Sequence, residues 1–253
     1  MSDNRKLFFG LKRSKVDPKE RKLSLPQCER IDLPSCFSLK DKIKQVYDQK
    51  CLNSCSANAA ANFLSLSDKV ECNISRLYMY FNSRYVDNNY MLPVEDIGSS
   101  LKSVFTAISQ YHYIDKIKYP YEIEKVNSIP PREIFEEAIT VNKSPIISYR
   151  QITPTLYNIK YILSHLKKPI IFGMAVYEEF FQITNECFTL KMPSPTSEFV
   201  WNHAILAIGV NDDTQTLEIL NAHGAGFGNN GIFLMPYSYI KDNLVFEFYL
   251  IQE

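Results

Sequence analysis

The chain has neither an excess of charge of one sign nor a long apolar run, and these absences exclude several classes of function. Its 28 lysines and arginines are balanced by 28 aspartates and glutamates among 253 residues. That balance provides no basic footprint for nucleic acid or for an acidic membrane surface. No apolar run reaches the length of a membrane-spanning helix. The apolar stretch at 7–11 is too short for a signal-peptide core. We therefore expect a cytoplasmic protein that binds neither nucleic acid nor membrane.

Cysteine and glycine are also scarce, and the few that occur are unevenly placed. If one of the six cysteines is reactive, five are left, an odd number with no evident disulfide framework. We expect the others to be mostly reduced. Five of the eight glycines lie between positions 209 and 231, which indicates tight backbone geometry in that segment. The cysteines are at positions 28, 36, 51, 55, 72 and 187.

Residues 1–32 are polar and charged and have no sustained apolar periodicity, so they are predicted to be an extension that precedes the fold. Two interpretations stay open for this extension. It could be a short arm that lies along a cleft, anchored by residues 8–10 and Pro18, or a disordered tail. The remaining 33–253 is long enough for one large domain or two lobes with a sizeable core.

Apolar residues have helical spacing in the first half of the chain, whereas short β-branched or aromatic runs dominate the second half. One further helix is expected between the first two strands. Helices followed by strands indicate an α+β architecture. The predicted helices cover 54–66, 74–85, 97–111, 132–140 and 156–166, and the predicted strands cover 146–149, 169–176, 204–208, 217–220 and 231–234.

The segment at 49–63 carries the strongest local signal for chemistry. Cys55 stands at the start of an alanine-rich, helix-forming run, six residues after Gln49. A thiol in this position meets the positive end of the helix dipole and the unpaired amides of the first turn. The sequence therefore predicts a lowered pKa and a reactive thiolate for Cys55.

Two later segments supply partners that such a thiol needs. His203 opens an apolar strand-like run, where an imidazole requires a polar partner. Asn221 follows eighteen residues later, at the end of another strand-like run and ahead of the glycine cluster. An ordinary turn asparagine is the alternative for Asn221. A phosphate-binding loop is disfavoured for the glycine cluster, because no strand-to-helix context or nearby lysine accompanies it.

In this order and spacing, the Gln, Cys, His and Asn residues resemble the site of the papain-like cysteine peptidases. The likeness is greatest to a divergent branch found in bacteria and large DNA viruses, and it extends from about residue 33 to the C-terminus. The interval of 148 residues from Cys55 to His203 lies in the range of roughly 130 to 150 seen in papain relatives. The motifs that carry the resemblance are Tyr47-Asp48-Gln49, Ser54-Cys55-Ser56-Ala57-Asn58-Ala59 and Met235-Pro236-Tyr237.

The resemblance implies a two-lobed papain-like fold with the active site in the cleft between the lobes. A helical lobe would cover about 33–145 and a β-barrel-like lobe about 146–253, with residues 1–32 as a possible short pro-segment. The implied activity is endopeptidase hydrolysis of a polypeptide substrate through an acyl-enzyme, without metal or organic cofactor. Cys55, His203 and Asn221 would form the triad and Gln49 the oxyanion hole. In a viral protein the resemblance suggests processing of virion or host proteins.

Several positions depart from the usual pattern of the family. An aromatic residue usually follows the nucleophile and a tryptophan usually lies two residues after the asparagine; here these are Ser56 and His223. An imidazole would shield the His–Asn hydrogen bond less well than an indole and could titrate. Lys50 and Asn53 replace glycines that are usual beside the oxyanion glutamine, and Phe227 replaces a second tryptophan.

Two other functions remain open from the sequence alone. The departures at Ser56 and His223 favour a papain-fold binding or regulatory protein with little or no turnover. A thiol enzyme of another acyl-transfer class, such as a transglutaminase, is the second alternative. Such enzymes usually have an aspartate as the third member of the triad, so Asn221 disfavours it.

Overall fold

A computed structural model describes residues 7–25, 31–67, 70, 73–141 and 148–252 of the chain. Helices dominate the first half and an antiparallel sheet dominates the second, as the α+β prediction required. The helices are α1 (Cys55–Ser65), α2 (Arg76–Asp87), α3 (Leu101–Tyr111), α4 (Arg132–Val141), α5 (Leu156–Lys160) and α6 (Ser238–Lys241). The strands are β1 (Leu11–Lys12), β2 (Cys36–Ser38), β3 (Ser99–Ser100), β4 (Ser148–Gln151), β5 (Ile170–Tyr177), β6 (Phe199–Asn211), β7 (Thr216–Leu220), β8 (Ile232–Pro236) and β9 (Val245–Gln252).

Helix α1 lies at the centre of the protein, and all eleven of its residues are buried. Its small side chains, including Ala57, Ala60 and Ala61, allow close approach on every side. The helix packs against α2 and α3 on one side and against β5 and β6 on the other. Helix α1 is therefore packed tightly between the other helices and the sheet.

Capping residues explain where the next helices begin. The Ser75 hydroxyl accepts a hydrogen bond from the Tyr78 amide and caps α2, and the Ser100 hydroxyl accepts one from the Ser103 amide and caps α3. Helix α3 starts at Leu101 rather than at 97, because Gly98 has a φ of +82° and the backbone turns there. Helix α5 continues through a wider π-helical turn to His165, which covers the rest of the predicted helix at 156–166.

Six strands form the sheet in the order β4-β9-β5-β6-β7-β8, and β2 pairs with β6 as the seventh. Among the described strands no pairing joins β4 to β8, so the sheet is open. The long strand β6 begins five residues before the predicted start at 204. The prediction missed these residues because they include exposed aromatics such as Trp201 and do not form a continuous apolar run. The sequence patterns predict no strand at β1, β2, β3 or β9, and β3 lies inside the helix predicted at 97–111.

Residues 7–25, called the arm below, pack in an extended form against both lobes. Strand β1 of the arm pairs in parallel with β3 of the helical lobe. Further along, the amide of Leu23 donates to the carbonyl of Gln151 at 2.8 Å, next to the sheet. The predicted lobe boundary at 145/146 lies outside the described residues. Within the described ranges, no helix has both the length and the apolarity to cross a bilayer.

Candidate active site

Cys55 is the first residue of α1 and is fully buried. Four nearby backbone amides, those of Ala204, Ser56, Gly10 and Cys55 itself, favour the thiolate and lower the pKa of Cys55. Burial nevertheless raises the pKa of Cys55 to about 12, because the loss of solvation outweighs these amides. The predicted lowering of this pKa is therefore wrong for the conformation seen here. The helix N-terminus is present as expected, but the arm closes it off from water.

His203 and Asn221 are hydrogen-bonded, with 2.8 Å between His203 Nε2 and Asn221 Oδ1. Because an amide oxygen only accepts, Nε2 carries the hydrogen and Nδ1 is the basic nitrogen of the neutral ring. His203 Nδ1 is buried and has no hydrogen-bond partner among the described residues. Burial and the neighbouring His223 lower the pKa of His203 to about 3, although the bond to Asn221 opposes this shift.

Asn221 follows directly after β7, and the glycine cluster holds its backbone. Its amide N–H donates to the carbonyl of Gly231 at 2.9 Å. Gly224, Gly228 and Gly231 have φ values of +79°, +58° and +82°, in the left-handed region that favours glycine. The prediction of tight backbone geometry around this asparagine is confirmed.

Gln49 is buried and lies beside the strand end that carries Asn221. Its backbone N–H donates to the carbonyl of Ala222 at 2.8 Å. Its side-chain Nε2 donates to the carbonyl of Leu52 at 2.8 Å and to that of Phe8 at 3.0 Å. The structure thus brings all four predicted residues to one location, with Gln49 and Cys55 on the helical side and His203 and Asn221 on the sheet.

The arm covers this location with residues 8–11. The carbonyl of Phe8 accepts hydrogen bonds from Gln49 Nε2 and from His223 Nε2, each at 3.0 Å. The ring of Phe9 meets the rings of His203 and His223 edge-on, with centroids 5.1 and 5.7 Å apart. Gly10 then accepts a hydrogen bond from the Ser99 amide at 3.0 Å. These contacts remove both Cys55 and His203 from solvent.

Each departure from the family pattern has a structural partner. The hydroxyl of Ser56 lies 2.7 Å from that of Ser99 and forms a hydrogen bond in the core. Lys50 has a φ of +53°, which explains why glycine suits this position. Asn53 donates from its side chain to the carbonyl of Asp96 at 2.7 Å. The ring of Phe227 packs against that of His223 at 5.4 Å.

Phe180 is the site residue that the sequence analysis missed. Its buried ring lies 5.9 Å from the His203 ring and 6.1 Å from the His223 ring. It sits in a short 3₁₀ turn at Glu178–Gln182, between β5 and β6. The adjacent pair Phe180-Phe181 is a local apolar signal, but nothing in the sequence indicates which of the two faces the histidines.

The described residues include no group of three or more His, Cys, Asp or Glu side chains that could hold a metal ion. The cysteines that the structure describes, Cys36, Cys51, Cys55 and Cys187, are free thiols. Cys55 alone of these four is buried.

The chain is similar to an uncharacterized peptidase C1-like protein of Acanthamoeba polyphaga mimivirus. The two are 32% identical over 237 residues, which cover 88% of this chain and 74% of the viral protein. No family model matches the sequence.

Solved structures show the same fold. Xylellain, a cysteine protease from Xylella fastidiosa, superposes with a TM-score of 0.84 over 96% of this chain and 95% of its own, at 22% identity. A procathepsin B from Trypanosoma congolense superposes with a TM-score of 0.68 over 97% of this chain and 87% of its own, at 14% identity. The predicted two-lobed α+β fold is therefore confirmed.

Proposed function

Because this chain belongs to the papain-like (C1) family of cysteine peptidases, we propose that it hydrolyses peptide bonds with Cys55 as the nucleophile. One observation carries the proposal. The 2.8 Å bond from His203 Nε2 to Asn221 leaves His203 Nδ1 as the base, and the backbone amide of the next residue, Ala204, favours the Cys55 thiolate. This arrangement supplies a nucleophile, a base and a residue that orients the base.

In the proposed reaction, His203 Nδ1 takes the thiol proton and the thiolate attacks the carbonyl carbon of the scissile bond. The developing oxyanion accepts hydrogen bonds from Gln49 Nε2 and from the backbone N–H of Cys55. When the C–N bond breaks, the leaving amine takes its proton from His203. Water, deprotonated by His203, then hydrolyses the acyl-enzyme and restores the thiol. Asn221 orients the His203 ring throughout.

We further propose that the arm acts as an intrachain block, in line with a pro-segment within residues 1–32. Residues 8–11 occupy the space between Gln49, Cys55 and the histidines, where substrate must lie. The backbone amide of Gly10 is among the groups that favour the Cys55 thiolate, so this part of the arm lies beside the sulfur. With the pKa of Cys55 near 12 and that of His203 near 3, the thiolate–imidazolium pair does not form beneath it.

The substrate class is a polypeptide, as expected for this family. The viral origin of the similar protein supports a role in processing virion or host polypeptides. A cytoplasmic location stays a prediction.

A second candidate is a papain-fold binding or regulatory protein with little turnover. The observation that favours it is the complete burial of Cys55 and His203 under the arm. If the arm never leaves the cleft, the triad does no chemistry.

An epoxysuccinyl thiol-protease probe separates the two functions. We expect labelling of the full chain at Cys55, lost in His203→Ala and accelerated in Phe9→Ala, which removes the ring packed on both histidines. The exposed Cys36, Cys51 and Cys187 are internal references in the same peptide map. Hydrolysis of a peptide library by the Phe9→Ala variant completes the test. Absence of both labelling and hydrolysis in a folded Phe9→Ala variant would refute the peptidase and leave the binding protein.

A further inference from the structure

His223 is linked to the proposed triad through Asn221. Its Nδ1 lies 2.8 Å from Asn221 Nδ2, and its ring is stacked on that of His203 with centroids 5.0 Å apart and planes 7° apart. His223 is itself buried. Because the amide nitrogen only donates, Nδ1 of His223 accepts, and its hydrogen resides on Nε2. Nε2 donates in turn to the Phe8 carbonyl of the arm at 3.0 Å.

The bond from Asn221 to His223 determines which end of the amide faces His203. The two ends of an asparagine amide have nearly the same shape, so the choice between them depends on their partners. In the observed orientation the oxygen accepts from His203 Nε2–H. A turned amide would present Nδ2 to His203 and require the hydrogen on Nδ1, the nitrogen that must take the thiol proton. His203 would then hold the tautomer that is unable to act as a base.

We propose that His223 is a positioning residue: its neutral Nδ1 holds the Asn221 amide in the productive orientation, and its protonation turns that amide and disables His203 as a base. The catalytic consequence of this inference rests on the proposed function, whereas the effect of His223 on the orientation of the Asn221 amide does not. A protonated His223 has donors at both nitrogens, so only the oxygen of Asn221 could satisfy it. The ring stacking adds a second effect, since two positive charges 5.0 Å apart repel.

The groups around His223 determine the pH range in which its protonation turns the Asn221 amide. Asp48, which forms a backbone bridge with His223, favours the charged ring, whereas His203 faces it from β6. The arm and the 3₁₀ turn at 178–182 present the apolar rings of Phe9 and Phe180. Burial dominates and lowers the pKa of His223 to about 4. Displacement of the arm admits water and brings this pKa back toward 6.5. On the acid side of the pH–activity profile, the activity should therefore fall between pH 6.5 and 4.

Two substitutions separate positioning from packing. His223→Phe keeps an aromatic ring in the stack but removes the acceptor. His223→Asn keeps an acceptor, its Oδ1 near the place of Nδ1, but removes the ring and cannot titrate. Both variants lose the Nε2 bond to Phe8, so the loosening of the arm that follows from this bond is common to them. The ring contact with Phe9 is kept only in His223→Phe.

We expect kcat of His223→Phe on a peptide substrate to fall by about 5- to 10-fold, the worth of one neutral hydrogen bond, with KM little changed. His223→Asn should retain more kcat than His223→Phe. Its pH–activity profile should also lack the fall in activity between pH 6.5 and 4. A purely structural role for His223 predicts the opposite order, with His223→Phe the more active variant, and that order would overturn the proposal.

Histidine ring ¹⁵N spectra of the full chain in a Cys55→Ala background provide a readout that does not depend on activity. The chain has four histidines, and the signals of His203 and His223 are assigned by their loss on substitution. We expect both rings as Nε2–H tautomers at pH 7, and an Nδ1–H population of His203 in the His223→Phe variant. An unchanged His203 tautomer in that variant refutes the positioning role even if the enzyme is active. An altered tautomer in a chain without peptidase activity supports the positioning role and refutes only the proposed function.

Discussion

Gly10→Ala tests whether the arm controls access to the thiol without any change to a site residue. Gly10 lies against the helical lobe. A Cβ added there would stand 2.1 Å from the carbonyl oxygen of Asn53 and 2.6 Å from its Cβ. The oxygen belongs to the backbone and Asn53 is fixed by hydrogen bonds to Asp96, so the neighbour is unable to yield. The arm must therefore move out of the cleft.

The size of the effect follows from the cost of overpacking. Forcing an extra methyl into a close-packed site typically costs about 1–3 kcal/mol. This cost falls on the covered state alone, since an exposed arm accommodates alanine freely. A tenfold change corresponds to about 1.36 kcal/mol. The population with an uncovered Cys55 should therefore rise about 5- to 150-fold.

The assay is the second-order rate of alkylation of Cys55 by an epoxysuccinyl probe, at concentrations where arm opening is a pre-equilibrium. Val16→Ala is the matched control, because Val16 is in the same arm and 92% exposed. The exposed Cys36, Cys51 and Cys187 report any general loosening of the fold. An unchanged Cys55 rate in Gly10→Ala, with an unchanged melting temperature, would show that the arm does not gate the site.

Three further predictions follow from the same geometry. Asn221→Ala should lower kcat about 10- to 100-fold, because the His203 imidazolium loses a hydrogen bond worth about 1.5–3 kcal/mol; steady-state kinetics measures this, and an unchanged kcat contradicts the orienting role. The folded-state pKa values of His203 and His223, about 3 and about 4, lie below the ordinary 6.5, so the unfolded chain binds more protons between these values. Stability should be fully present above pH 6.5 and fall by up to ~2–3 kcal/mol per pH unit toward pH 4. Urea unfolding from pH 7 to 4.5 tests this, and a flat profile refutes it. Gly231→Ala should destabilise the fold by about 1–3 kcal/mol in the same assay, because its φ is +82° and the new Cβ would lie 2.3 Å from a methyl of Val46; an unchanged midpoint contradicts that account.

Local signals were sufficient for the central helix and for the positions that form the candidate site. The alanine run after Cys55 predicted α1 to within one residue at each end. The glycine cluster after Asn221 predicted a tightly turned segment, and three of its glycines have positive φ. These features depend on neighbouring residues, which is why the sequence alone reveals them. The catalytic roles stay proposals.

Features that depend on pairings between residues far apart in the chain could not be predicted from the sequence. The arm meets β3 through a parallel pairing of Leu11 with Ser99, 88 residues later in the chain. The short apolar stretch at 7–11, followed by charged residues, gives no periodic signal for this pairing. The predicted pKa of Cys55 is wrong for the same reason. The helix N-terminus depends on neighbouring residues, whereas the arm that covers it comes from a distant part of the chain. Strand β9 differs, because the run at 245–251 is apolar and aromatic and its signal was available.

The covered state also bears on how this protein withstands oxidants. Peroxides attack the thiolate of an accessible cysteine and convert it through sulfenic to irreversible sulfinic and sulfonic acids. Under the arm, Cys55 is both inaccessible and protonated, whereas Cys36, Cys51 and Cys187 stand in solvent. Among the four described cysteines, oxidative damage should therefore accumulate first at the three thiols that the proposed chemistry does not use. A chain stored in air without reductant would keep its nucleophile intact until the arm is displaced.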